Sequence, residues 1–308
     1  IFMLSLLDRY EGCLLGLAVG DAIGTTLEFM PKGSFTPIDD MIGGGPFGLR
    51  AGQWTDDTSM ALCLAESLIQ RNGFDPIDQM NRYCNWWQWG YLSSTGECFD
   101  IGSTVVEALN KYLENKKPFA GSIEPDCAGN GSLMRLAPVP MTYYGNIDNV
   151  IKYAGESSRT THGTAECIDA CKYFADLLCL TLDGVDKGDL LNSSSYKPYT
   201  QKINLISDGR FLNKSEQEIS GSGYVVHSLE AALWSFFTTD SYESAILKSA
   251  NLGDDADTTA AICGQISGAY YGASNIKKSW LDKLHMHDEI KATANQLLEL
   301  RDKLNQPS

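Results

Sequence analysis

Three aspartates, Asp254, Asp255 and Asp257, crowd the start of the stretch NLGDDADTTAAICGQISGAYYG, Asn251 to Gly272, and Thr258 and Thr259 follow at once. A second stretch, GQWTDDTSM, repeats the theme with Thr55, Asp56, Asp57 and Thr58. Both groups stand at what reads as the N-terminus of a helix. One aspartate in such a place needs no further chemistry, because its carboxylate accepts free backbone N–H groups and complements the helix dipole. Adjacent carboxylates are different. They repel, and a partly buried one takes up a proton unless a cation stands close. Asp carboxylates and Thr hydroxyls are hard oxygen donors that suit Mg²⁺, Mn²⁺ or Ca²⁺ rather than zinc, and the EF-hand pattern is absent. Two metals bridged by shared carboxylates would use about this many acids, and such a pair polarises substrate oxygens and activates water. Spacing leaves capping and metal binding both open and favours metal.

Further polar groups stand out. In GNGSLMR, Gly129 to Arg135, small residues and an Asn leave backbone amides free in a turn. That suits a phosphate, with Arg135 as countercharge, although a plain tight turn has the same composition. Glu28, in GDAIGTTLEF, sits among apolar residues where a helix ends. It reads either as an ordinary helix-end acid or as a carboxyl of raised pKa fit for acid–base work. His162, in the polar turn RTTHG, is placed to touch a ligand, whereas His227, in YVVHS, falls on an apolar helix and is expected in the core. No Ser-His-Asp or Cys-His arrangement is visible. Trp86, Trp87 and Trp89 of NWWQWGY are expected to pack a core or a pocket wall.

The elements that must position these groups are helical. LLDRYEGCLLGLAVGDAIG, TDDTSMALCLAESLIQ, GTAECIDACKYFADLLCL, YVVHSLEAALWSFF and DEIKATANQLLELRDKLN carry the 3.6-residue apolar period, the second with Thr55 as its N-cap. Few stretches alternate like strands, and no linker or composition shift divides the chain. The reading is an all-α single domain over residues 1–308. Gly12, Gly16, Gly20 and Gly24 recur every four residues, as do Gly264, Gly268 and Gly272. Glycines at that spacing form a flat ridge that lets two helices approach closely, against a helix-propensity cost of roughly 1 kcal/mol each. We therefore expect helices 12–24 and 257–272 to cross in the core. If they run antiparallel, Asp21 comes near Asp257. Loops are expected where Gly and Pro cluster, at PKGSFTPIDDMIGGGPFGLRAG and NKKPFAGSIEPDCAGNGS, and over the polar run 183–223, which reads as a surface excursion.

Composition sets the outer limits. With 43% hydrophobic and 20% charged residues, the 308-residue chain is of globular type. A net charge of −15 argues against a broad nucleic-acid surface, which needs clustered Lys and Arg. The nine cysteines are scattered, with no C-x-x-C pair, and suit buried free thiols in a reducing cytoplasm. The apolar start meets Asp8, Arg9 and Glu11 quickly, so neither a signal peptide nor a membrane span is expected.

Taken in order, GCLLGLAVGDAIGTTLEF, GQWTDDTSMAL, GNGSLMRLAPVP, THG and NLGDDADTTAAICGQISGAYYG resemble the ADP-ribosylglycohydrolase family, over roughly Gly12 to Gly272. The resemblance implies a compact, orthogonal helical bundle carrying two divalent cations, Mg²⁺ or Mn²⁺. It implies metal ligands Thr55, Asp56, Asp57, Asp255, Asp257 and Thr258, with Asp254 outside that set. Gly129, Asn130, Gly131 and Ser132 would hold the ADP-ribose phosphates, and His162 would lie near the ligand. Asp57 or Glu28 would assist the attacking water. The implied reaction is hydrolysis of the bond from C1″ of ADP-ribose to a modified side chain, arginine being the usual acceptor in bacterial members. Hydrolysis of ADP-ribosylserine or O-acetyl-ADP-ribose, and ADP-ribose binding without turnover, are the alternatives it carries, with the rim PKGSFTPIDDMIGGGPFG expected to discriminate among acceptors.

Overall fold

A computed structural model describes residues 3–307. Among them the ordered elements are α-helices joined by turns, with isolated bridges in place of strands. The helices are α1 (Leu6–Gly24), α2 (Asp56–Arg71), α3 (Pro76–Trp89), α4 (Ser103–Asn115), α5 (Pro138–Tyr143), α6 (Ile147–Arg159) and α7 (Ala165–Leu182). They continue as α8 (Leu190–Ser193), α9 (Gln201–Ser207), α10 (Val225–Phe237), α11 (Tyr242–Ala250), α12 (Ala256–Tyr271), α13 (Lys278–Lys283) and α14 (His287–Leu304).

The centre of the molecule is the pair α1 and α12. Every residue of α1 from Gly12 to Gly24 is buried, as is α12 from Ala256 to Ala269, so over these stretches neither helix has a solvent face. They run antiparallel at backbone contact. A Cβ added to Gly12, Gly16, Gly20 or Gly24 would overlap the carbonyl oxygen of Gly268, Gly264, Ala260 or Ala256 respectively. The glycine spacing thus sets the register of the crossing and brings the C-terminal end of α1 to the N-terminal end of α12. Tyr242 of α11 seals the seam by donating to Gly16 O at 2.7 Å.

Around this pair the other helices close the core. The α2 helix starts beside the two central ends. Its last turn stops at Asn72, whose left-handed backbone (φ 53°) ends the helix. The polar run 183–223 is more tightly held than a free surface excursion. It contains α8 and α9. Asp176 accepts from Ser194 Oγ and from the Ser195 and Tyr196 amides, and Asp169 accepts from Tyr196 and Thr200. Lys187 donates to Phe236 O, Thr239 O and the Tyr271 hydroxyl.

Two expectations are corrected. His227 is exposed, not in the core: its ring faces out of α10 and pairs with Ser222 Oγ at 2.7 Å. Of the three tryptophans only Trp86 packs in the core; Trp87 is half-buried and Trp89, at the last position of α3, is 78% exposed. All nine cysteines are free thiols, seven of them buried. No helix among the described residues is long and apolar enough to cross a membrane.

Candidate active site

Asp21 enters from α1 and is fully buried. It accepts from the Thr55 amide, the Thr58 amide, Thr55 Oγ1 at 2.8 Å and Thr58 Oγ1 at 2.7 Å. Asp21 thus caps α2 from another helix. Thr55 holds the N-cap backbone position, but its side chain makes no cap bond. That hydroxyl turns inward instead, where Asp21 Oδ1, Asp57 Oδ2 and Asp257 Oδ2 lie within 2.8–3.0 Å of it. A hydroxyl has one proton to donate, so it satisfies one of the three carboxylate oxygens. Thr258 Oγ1 reaches Asp57 Oδ2 at 3.2 Å.

The carboxylates form two groups that share a member. Oxygens of Asp21, Asp57 and Asp257 lie within 4.8 Å of one another, and so do those of Glu28, Asp100 and Asp257. Burial raises every pKa here. It brings Asp21 to about 7, and Glu28, where Asp100 adds to the effect, to about 11. Asp56, Asp57 and Asp257 are held well above the usual carboxylate range by burial first and by neighbouring acids second. Asp57 Oδ1, Asp257 Oδ1 and Glu28 Oε2 are buried with no hydrogen-bond partner. Orphaned acceptors among crowded, desolvated acids need either protons or cations, and an all-oxygen donor set suits a hard divalent ion. The residues fit such a group, and the shared Asp257 fits a pair.

The cluster opens into a cavity of about 760 Å³. Of the expected ligands, Asp56, Asp255 and Thr258 line this cavity, while Asp57, Asp257 and Thr55 are not part of its wall. Glu28 lines it as well, only 3% exposed. Asp255 is the N-cap residue of α12 and accepts from Asn130 Nδ2 at 2.7 Å, which links the acids to the turn at 129–132.

That turn is pinned to the start of α10, where Asn130 N donates to Gly223 O and Val225 N to Ala128 O. Gly129, Asn130, Gly131 and His162 face the cavity. A Cβ on Gly131 would lie 2.6 Å from the His162 ring, so glycine is required for the ring to pack against the turn. Thr161 Oγ1 holds His162 Nδ1 at 2.8 Å. Burial, and then the nearby Arg135 charge, lowers the His162 pKa to about 3, which keeps the ring neutral. Ser132 Oγ turns away to Ser158 Oγ at 2.8 Å, leaving the cavity to its neighbours. Arg135 is not a countercharge in the cavity. It is fully buried, lies over the Tyr83 ring and donates to Ser157 O, Thr160 Oγ1 and Thr161 Oγ1. Its role is to brace the turn that carries His162.

A family model described as ADP-ribosylglycohydrolase matches residues 3–307. The chain belongs to the ADP-ribosylglycohydrolase family. The chain is 43% identical over 291 residues to ADP-ribosylarginine hydrolase Tri1 of Serratia proteamaculans (strain 568), covering 94% of this chain and 79% of that protein. It is 33% identical over 300 residues to the ADP-ribosyl-[dinitrogen reductase] glycohydrolase of Rhodospirillum rubrum, covering 95% and 96%. A solved structure described as an ADP-ribosylglycohydrolase-related protein complex matches with a TM-score of 0.87 at 41% identity, over 96% of this chain and 99% of that one. The chain is thus an enzyme similar to the ADP-ribosylarginine hydrolases, and the all-α fold agrees with the solved relative.

Two acids of the site escape a reading of motifs. Asp21 is visible only as a neighbour of Asp257 through the glycine ridge, not as a group facing the cluster. Asp100 lies in a loop, half-buried with left-handed backbone (φ 62°), and no periodicity or spacing marks it.

Proposed function

We propose that the chain is a single-domain, dinuclear-metal hydrolase that removes ADP-ribose from ADP-ribosylated protein side chains, with arginine N-linked to C1″ as the substrate linkage. The observation that carries this reading is the convergence of three carboxylate oxygens on the Thr55 hydroxyl, with orphaned oxygens on Asp57 and Asp257 beside it. Thr55, Asp56, Asp57, Asp255, Asp257 and Thr258 would hold two divalent cations, Mg²⁺ or Mn²⁺. Such ions, when bound, supply Lewis-acid polarisation of sugar oxygens and activation of water. The likeness to relatives named ADP-ribosylarginine hydrolase supports the arginine linkage. Nine free thiols suit a reducing, cytoplasmic setting.

The chain's own groups divide the remaining work. Gly129, Asn130 and Gly131 present the turn that would receive the pyrophosphate, and the cavity wall offers no Lys or Arg for that task. Neutral His162 supports the turn from below. Water adds to C1″ while the C1″–N bond breaks, through an oxocarbenium-like transition state. Neutral guanidine is a poor leaving group, so the proton that water gives up must end on the departing arginine. Asp57 and Glu28 are the two candidates to carry it. Glu28 is the one at the cavity wall, and its carboxyl binds a proton readily.

Asp257→Ala and Asp57→Ala test this site. Each should lower ADP-ribose release by about a thousandfold or more and weaken Mn²⁺ binding measured by calorimetry, with helical circular dichroism retained. Full activity in either variant would contradict the assignment.

A further inference from the structure

At the cavity mouth Phe29 and Asp254 stand back to back, both in left-handed backbone, at φ 67° and 55°. That conformation is uncommon for any non-glycine residue and an outlier for a bulky one. It is locked by a reciprocal pair of bonds: the Phe29 amide donates to Asp254 O at 2.7 Å, and the Asp254 amide donates to Met30 O at 2.7 Å. Packing does not explain the arrangement, because Phe29 is 66% exposed. Its ring is nevertheless braced, edge-on to Phe47, which in turn packs on Phe99 with ring centres 5.1 Å apart.

Both residues line the same cavity as Glu28, and that wall carries Asp56, Asp100 and Asp255 besides, with no Lys or Arg. The Asp254 carboxylate engages no donor among the described residues, since its bonds run through its backbone. Glu28, one residue before the ring, lines the same space. An aromatic face beside a free carboxylate, in a wall of one charge sign, has a specific complement. A planar guanidinium stacks on the ring and donates N–H groups to the acid.

We propose that Phe29 and Asp254 form the subsite for the acceptor side chain, a guanidinium, and so select the linkage that is cleaved. The inference rests on the arginine reading above. A seryl oxygen offers neither the plane nor the charge, and an acetyl ester offers neither charge nor N–H donors, so the pair favours the arginine linkage while leaving the ADP-ribose half of the substrate untouched. It also places part of the selectivity in the residue after Glu28 and in the residue before Asp255, with Phe47 of the glycine-rich rim acting as a brace.

The test compares wild type, Phe29→Ala, Phe29→Tyr and Asp254→Asn. Asn tolerates the left-handed backbone as Asp does. Release of ADP-ribose from an arginine-ADP-ribosylated peptide and from its serine-linked counterpart is measured with Mg²⁺ present, and the affinity for free ADP-ribose is measured by calorimetry. Phe29→Ala and Asp254→Asn should each lower kcat/KM for the arginine substrate about tenfold, with Phe29→Tyr close to wild type. ADP-ribose affinity should stay within about twofold of wild type. Wild-type release from arginine with unaffected variants would overturn the subsite alone, as would a parallel loss of ADP-ribose affinity. Wild-type release from serine and not from arginine would overturn both the subsite and the reading beneath it.

Discussion

Thr55 has one hydroxyl proton and three carboxylates to satisfy. The glycine ridge brings Asp21 near Asp257 in an antiparallel crossing, but the sequence does not show that both meet on the Thr55 hydroxyl. Thr55, Asp56, Asp57, Asp255, Asp257 and Thr258 stand out in the sequence because each pair of acids lies within one short motif. Asp100 contributes a single carboxylate from a loop, and only the fold brings it in, whereas the sequence points to Asp21 as a neighbour of Asp257 but not as the cap of α2. Arg135 was misread for the related reason that a cation beside a small-residue turn looks like a phosphate ligand until its side chain is seen to point into the core. His162 yields a prediction at this scale. Its folded pKa of about 3 lies below the unfolded value near 6.5, so the unfolded chain binds the extra proton. The stability gained from keeping the ring neutral is present above pH 6.5 and is lost as pH falls toward 3, at up to about 1.4 kcal/mol per pH unit. Urea unfolding of wild type and His162→Gln at pH 7, 6 and 5 should therefore show a shallower acid loss in the variant. Parallel slopes would contradict the buried neutral imidazole.

At the scale of elements, the α1–α12 crossing does the positioning. The ridge was visible as a spacing of four residues, and the close approach follows because a Cβ at any of four α1 positions would overlap backbone across the seam. The partners were less legible, since Gly20 and Gly24 face Ala260 and Ala256 rather than further glycines. Gly264→Ala should force the helices apart at Gly16 and destabilise the protein by about 3 kcal/mol, read as a lower urea midpoint with the m-value unchanged. Because the seam sets the distance from Asp21 to Asp257, the same variant should bind Mn²⁺ more weakly. Wild-type stability would show that the contact has slack. By contrast, His227 and Trp89 defeated pattern reading because each sits where an apolar run meets a helix edge, and periodicity does not say which edge residues face out.

Over the whole molecule, 39 acidic residues against 24 basic ones give a net charge of −15, and five of the seven buried acids among the described residues, Asp21, Glu28, Asp56, Asp57 and Asp257, stand at one place. Self-repulsion in that cluster opposes folding, and bound divalent cations would relieve it. Saturating Mg²⁺ or Mn²⁺, at about a hundred times Kd, should stabilise the fold by about 2.7 kcal/mol and raise Tm by roughly 5 °C. Asp257→Ala should abolish most of that rise, whereas an unshifted wild-type Tm would leave protonation as the relief for these acids. The all-helical architecture was legible from periodicity alone. The clasped run at 183–223 was not, because its anchors, Asp169, Asp176 and Lys187, are polar residues whose partners are distant in sequence or irregular in structure. The most direct measurement is release of ADP-ribose from an arginine-ADP-ribosylated protein, first with Mg²⁺ and then after EDTA. The account predicts release that stops on chelation and returns with added Mg²⁺ or Mn²⁺. Release that persists in EDTA, or none from arginine while ADP-ribose still binds, would contradict it.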